Sequence, residues 1–198
     1  MIEFFSFAPS KLNLNGDQAN LLVLRKRLEW LGQESTLTVL DSLGDLQSFG
    51  SRYAKDPEGK FLLLGHGSRA AMESFASDDD EIRRVVLDMA ESGLAGLAIG
   101  SGYELLAQDF KRVQRVSDYA DVPEADGLPR LHGYVNSDTD LAPVARLGEN
   151  FLGTLVHGPV LARTPELADF FIGLLGVEVR ETLRSAEVDG FAAGANAH

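Results

Sequence analysis

The sequence predicts an α/β domain with an open, mainly parallel sheet and helices on both faces. Three observations carry this. Short apolar runs alternate with amphipathic stretches from the N-terminus to about residue 110. The runs are continuously apolar, the pattern of strands buried on both faces. Several of them end in glycine-rich loops, the positions at which open α/β sheets collect their sites.

Phe4 to Phe7 is a first strand, closed by the turn Ala8-Pro9-Ser10. Asn13, Asn15, Gly16 and Asp17 form a turn cluster. From Gln18 to Leu31, Leu21, Leu24, Leu28 and Leu31 recur at spacings of three and four. That spacing predicts an amphipathic helix with Arg25, Lys26, Arg27 and Glu29 mostly on its wet side, ending at Gly32. Thr36 to Leu40 and Lys60 to Leu64 are strand candidates, the second running into Gly65-His66-Gly67-Ser68. Asp78, Asp79, Asp80 and Glu81 place negative charge at the start of a helix over Ile82 to Ala90. Leu94 to Ile99 is a strand ending at Gly100-Ser101-Gly102, and Tyr103 to Phe110 reads as helix. Residues 117 to 148 are rich in Asp, Pro, Gly and Asn, with Leu131 to Val135 the best strand fragment. Phe151 to Val156 is a further strand, ending at His157-Gly158-Pro159. Thr164-Pro165 opens a helix that stops at Gly176, with threonine as N-cap and proline at the first helical position. Residues 1–190 are expected to form one domain and 191–198 a frayed tail.

Composition narrows the function. The chain of 198 residues is 44% hydrophobic, so it is no disordered segment. Lys and Arg number 18 against 30 Asp and Glu, a net charge of −12 that repels phosphate backbones and anionic lipid. Nucleic acid is therefore not an expected partner. No apolar run reaches the roughly 20 residues that span a bilayer. The start MIEFFSFAPSK lacks the features of a signal peptide, so a cytoplasmic protein is expected. There is no cysteine, which removes disulfides, thiolate metal sites and cysteine nucleophiles. No His, Asp and Glu grouping has metal-ligand spacing, and no cofactor is implied.

Three loops bear chemistry. In Gly65-His66-Gly67-Ser68-Arg69, paired glycines allow close backbone approach, and their amides could bind an oxyanion; a tight turn is the plainer reading. Ala98-Ile99-Gly100-Ser101-Gly102-Tyr103 resembles a nucleophile elbow, with Ser101 the one nucleophile candidate and Gly100 the residue flanked in an elbow-like way. His157, at a strand end before Gly-Pro, is placed as a general base or as a locally satisfied histidine. His66 and His132 are weaker candidates.

These loops, in this order, resemble the class I glutamine amidotransferases of the CobB/CobQ type. Among them they resemble the GatD-like glutaminase subunits of lipid II isoglutaminyl synthase. Leu12-Asn13-Leu14-Asn15-Gly16-Asp17-Gln18-Ala19-Asn20, with Arg27-Leu28-Glu29-Trp30, is similar to that group's N-terminal L-N-x-Y-G-D-x-x-N…RR-x-E-W. Leu152-Gly153-Thr154-Leu155-Val156-His157-Gly158-Pro159, with Pro165-Glu166-Leu167-Ala168-Asp169, is similar to its L-G-T-Y-L-H-G-P…N-P-E-L-A-D. The resemblance implies a three-layer flavodoxin-like fold, in which a cysteine attacks the amide of glutamine, a histidine moves the proton, and ammonia passes to a MurT-like Mur-ligase subunit. It places His157 at the family base and Arg130, with Gly67, Ser68 and Gly102, around a glutamine-like small molecule. The departures are as informative. Where the family elbow reads A-I-C-G-G-Y-Q-L-L, this chain has Gly100 for the nucleophile, Ser101 for the following glycine and Glu104 for the glutamine. The family loop G-G-G-Q-D is Gly65-His66-Gly67-Ser68-Arg69, and a longer family segment is replaced by Asn136 to Glu149.

The expected function is that of a relative that has lost glutaminase activity and serves as a non-catalytic partner or regulatory subunit, linked to peptidoglycan precursor amidation. Glycine cannot form a thioester, and covalent catalysis needs a nucleophile. One alternative is an active amidotransferase using Ser101 with His157. Another is a binder of small molecules or peptidoglycan precursors that reuses the cleft without chemistry.

Overall fold

A computed structural model describes residues 1–107, 109–124 and 127–196. Its elements in chain order are β1 (Ile2–Phe7), α1 (Ala19–Trp30), β2 (Ser35–Leu40), α2 (Leu43–Tyr53), β3 (Lys60–Leu64), the single turn α3 (Arg69–Glu73), α4 (Asp79–Glu91), β4 (Ala95–Ile99) and α5 (Ser101–Leu106). Then follow β5 (Arg112–Val122), β6 (Leu131–Thr139), β7 (Val144–Arg146), β8 (Phe151–Thr154), α6 (Val160–Arg163), α7 (Pro165–Leu174) and α8 (Leu183–Asn196). Six strands form one sheet in the order β2-β1-β3-β4-β8-β7. The first five are parallel, and β7 closes the edge antiparallel to β8. The strands β5 and β6 make a separate antiparallel ribbon.

Helices α1, α6, α7 and α8 pack together on one face of the sheet, and α2, α4 and α5 on the other. This is a three-layer flavodoxin-like α/β fold, as the sequence predicts. The run Phe4 to Phe7 shows why its strand is apolar throughout. Phe4 meets Phe61 at 5.9 Å between ring centroids, and Phe61 meets Phe171 of α7 at 5.0 Å. Phe5 points the other way and stacks on Phe49 of α2 at 4.0 Å. Both sides of β1 are thus core.

Several local expectations change. The amphipathic α2 is an added helix; Ser42 and Asp45 cap it reciprocally, the serine accepting from the Asp45 N–H and the Asp45 carboxylate from the Ser42 N–H. The helix expected over Tyr103 to Phe110 starts at Ser101 and ends at Leu106; residue 108 lies outside the described residues. The irregular stretch after 117 contains most of a ribbon, because β5 and β6 satisfy each other's backbone groups. Thr164 occupies the N-cap of α7, but its buried hydroxyl has no hydrogen-bond partner among the described residues. Arg27, expected on the wet side of α1, is buried and ion-paired to Asp169 of α7, at 2.8 Å, and to Asp189 of α8. The covering helices turn that flank of α1 inward. The tail expected to fray is helical through Asn196, where α8 buries Ala192 and the Asn196 side chain donates to the Arg163 carbonyl; residues 197–198 lie outside the described residues. Among the described residues, no helix is long and apolar enough to cross a membrane.

Candidate functional site

The C-terminal ends of β1, β3, β4 and β8 stand side by side, and the loops that leave them converge. This is where an open parallel sheet in this order presents its crevice. The β1 loop brings Asn15, Asp17 and Asn20; the β3 loop brings Gly65 to Ser68; the β4–α5 turn brings Gly100 and Ser101; the β8 loop brings His157 and Gly158.

Two buried polar side chains tie these loops together. The Asp17 carboxylate accepts the His66 N–H at 3.0 Å and the Gly158 N–H at 3.3 Å. Burial raises its pKa, against the lowering effect of those amides and of His157. Asn20 donates to the carbonyls of Asp17 and Gly158 and accepts from the Leu161 N–H, so both of its donors and its oxygen are engaged. The β1 and β8 loops, separated by more than a hundred residues, are thus hydrogen-bonded to each other beside His157.

Gly100 sits at the strand-to-helix turn with φ 54° and ψ −116°, a conformation that L-residues rarely adopt. A Cβ built there would overlap His66 Nδ1 and stand 2.7 Å from His157 Cε1. The direction in which a nucleophile would project is therefore the space that the two imidazoles fill. Their rings meet edge to face with centroids 4.4 Å apart.

Each imidazole is committed. His66 Nδ1 accepts the Ser101 N–H at 3.0 Å, so the neutral ring carries its proton on Nε2. Burial first, and the neighbouring His157 second, lower its pKa from 6.5 to about 4. His157 Nε2 faces the Asn136 carbonyl at 3.1 Å, an acceptor only, so this nitrogen is the donor. Nδ1 then accepts from the Asn15 amide at 3.0 Å. Neither nitrogen is hydrogen-bonded to Ser101. The Ser101 hydroxyl is buried and accepts the Gly67 N–H at 2.8 Å. The backbone amides of Ser101 and Gly67, which flank the turn at position 100, are thus both bonded inside the protein.

The remaining expected residues fall in different places. Gly67 and Gly102 are close-packing positions. A Cβ at Gly67 would stand 2.8 Å from Leu12 Cδ2, and one at Gly102 2.7 Å from the Gly65 carbonyl. The Ser68 hydroxyl caps α3 through the Ala71 N–H. Glu104 lies half-buried beside Arg112 at 3.1 Å, and burial raises its pKa against the pull of Arg112. Arg130 is exposed and forms a two-pronged pair with Asp121 across the ribbon. It lines a cleft of about 710 Å³ with His132, Arg163 and Glu166, and none of the cluster residues lines that cleft. A second cleft, of about 470 Å³, lies between α1 and β2. Among the described residues, no three His, Asp or Glu side chains converge as metal ligands.

His66, Asn15 and Asn136 are the residues whose part sequence reasoning missed. His66 had a signal, a histidine between two glycines after a buried strand. Its partner is 91 residues away in sequence (157 minus 66), and only the sheet order brings them together. No family model matches the chain, and no curated protein is significantly similar to it.

Proposed function

We propose that this chain is a glutamine-amidotransferase-like domain without glutaminase chemistry, acting as a non-catalytic partner or regulatory subunit. The resemblance in its loops points to peptidoglycan precursor amidation, beside a MurT-like Mur-ligase subunit, as its setting.

The observation that carries this reading is the filled space at position 100. Amide hydrolysis by covalent catalysis needs a nucleophile, a base with a free nitrogen and donors aimed at the developing oxyanion. Here the first has no side chain, and His66 occupies its place beside His157. The second is bonded at both nitrogens. The third are bonded to His66 and Ser101. The Ser101 alternative requires its hydroxyl to leave the Gly67 amide and turn toward His157.

The test is glutamate release from glutamine by the purified protein, alone and with a MurT-like ligase. The expected rate is the background rate in both cases. Turnover by the unmodified chain that disappears in Ser101→Ala would overturn the reading and establish serine catalysis.

A further inference from the structure

We infer that Asn15 is a site of intramolecular deamidation assisted by His157, which converts the edge of the histidine cluster from neutral to anionic. Asn15 is the one asparagine in the chain followed by glycine. Both residues are exposed in the loop after β1. Gly16 has φ 76°, and nothing lies within 4 Å of where a Cβ would stand, so its nitrogen is unshielded by a side chain. Its N–H makes a long 3.3 Å bond to the Asn13 carbonyl. The departing group is already in contact with an imidazole, since Asn15 Nδ2 lies 3.0 Å from His157 Nδ1.

The reaction balances with water as the one co-reactant. The Gly16 nitrogen bonds to Asn15 Cγ, and its proton passes to solvent. His157 Nδ1, which accepts from Nδ2 in the resting loop, relays a proton from solvent to Nδ2, and the Cγ–Nδ2 bond breaks to release ammonia. Water then opens the cyclic imide at either carbonyl, leaving aspartate or isoaspartate at position 15. The new carboxylate faces the His157 ring, where the amide stood.

Asn13, two residues earlier, is an internal reference. It precedes Leu14, and its Oδ1 accepts the Gln18 N–H. The test is peptide mapping by mass spectrometry after incubation of the intact protein at 37 °C and neutral pH, with a peptide spanning residues 12–20 alongside. Asn15 is expected to convert about tenfold faster than Asn13 in the folded protein and several-fold faster than in the peptide. His157→Gln is expected to bring Asn15 down to the peptide rate. Conversion of Asn15 no faster than Asn13, or no faster in the protein than in the peptide, overturns the inference. The peptide comparison stands even where the variant does not fold.

Discussion

At the scale of single residues, position 100 and position 66 form a unit. Gly100→Cys supplies a thiol but places Cβ in a strained backbone conformation and against His66. The variant is expected to be less stable by at least about 2 kcal/mol, from strain and overpacking together, as read by urea unfolding. Glutaminase activity is expected to stay absent in that single variant. The pair Gly100→Cys with His66→Gly is expected to recover part of the stability and to leave the thiol beside His157. A single variant as stable as the parent would show that the turn relaxes in a way the geometry does not allow. His66 also sets a pH dependence. Its pKa is about 4 in the folded protein against 6.5 as the ordinary value. Between those values the unfolded chain binds the proton and the folded chain does not. The stability tied to His66 is therefore full above 6.5 and lost as pH falls toward 4, by at most about 3 kcal/mol. Asp17 and Glu104, whose pKa values are raised, act in the opposite sense, so the comparison must be with a variant. His66→Gln keeps an acceptor for the Ser101 N–H and should lose less stability than the parent between pH 6.5 and 4. Identical slopes in denaturation at the two pH values would contradict the assignment.

At the scale of elements, Arg27 is the rivet of the helical layer that carries α8. Its side chain is 5% exposed and reaches Asp169 and Asp189, whose own carboxylates are about a third exposed. Arg27→Met is expected to cost about 2 kcal/mol, below the usual figure for severing a fully buried pair because solvent reaches both acids. Amide exchange should rise first in α8, before the sheet; uniform loss across the domain would argue against a local rivet. The same elements show what the sequence could reveal. β1, β3, β4 and β8 were legible because core lies on both of their faces, which writes a continuous apolar run into the chain. α2 carries its own signal in Leu43, Leu46, Phe49 and Tyr53 and the Ser42–Asp45 cap, which the apolar runs of the flanking strands outweigh. β5 is exposed along most of its length, so burial left no alternation to read. Arg27 was misplaced because helix periodicity records which face is apolar, and a buried ion pair looks like a wet face.

At the scale of the whole molecule, sheet order decides the site. His66, Gly100 and His157 stand far apart in the chain, and only the neighbouring of β3, β4 and β8 makes them a cluster. The loops could be flagged from sequence, but their mutual saturation could not, since each hydrogen bond joins segments tens of residues apart. The prediction that belongs to this scale concerns assembly. The chain is expected to form a complex with a MurT-like ligase at micromolar concentrations, and His66→Gln, set in the cluster, should leave that affinity unchanged if docking uses the outer surfaces of the helices. A titration by calorimetry that detects no complex at those concentrations would remove the subunit proposal.

The turn at Gly100 also bears on how such a chain can change through time. Any residue other than glycine at that φ is held under tension, so a step to glycine there runs downhill in conformational energy. With the His66 ring in the space beside that turn, a side chain added at position 100 alone meets a wall. Opening that space without the collision takes a smaller residue at position 66 as well as the change at position 100. The geometry works as a ratchet at the turn, set in a scaffold that Asp17 and Asn20 brace from outside it.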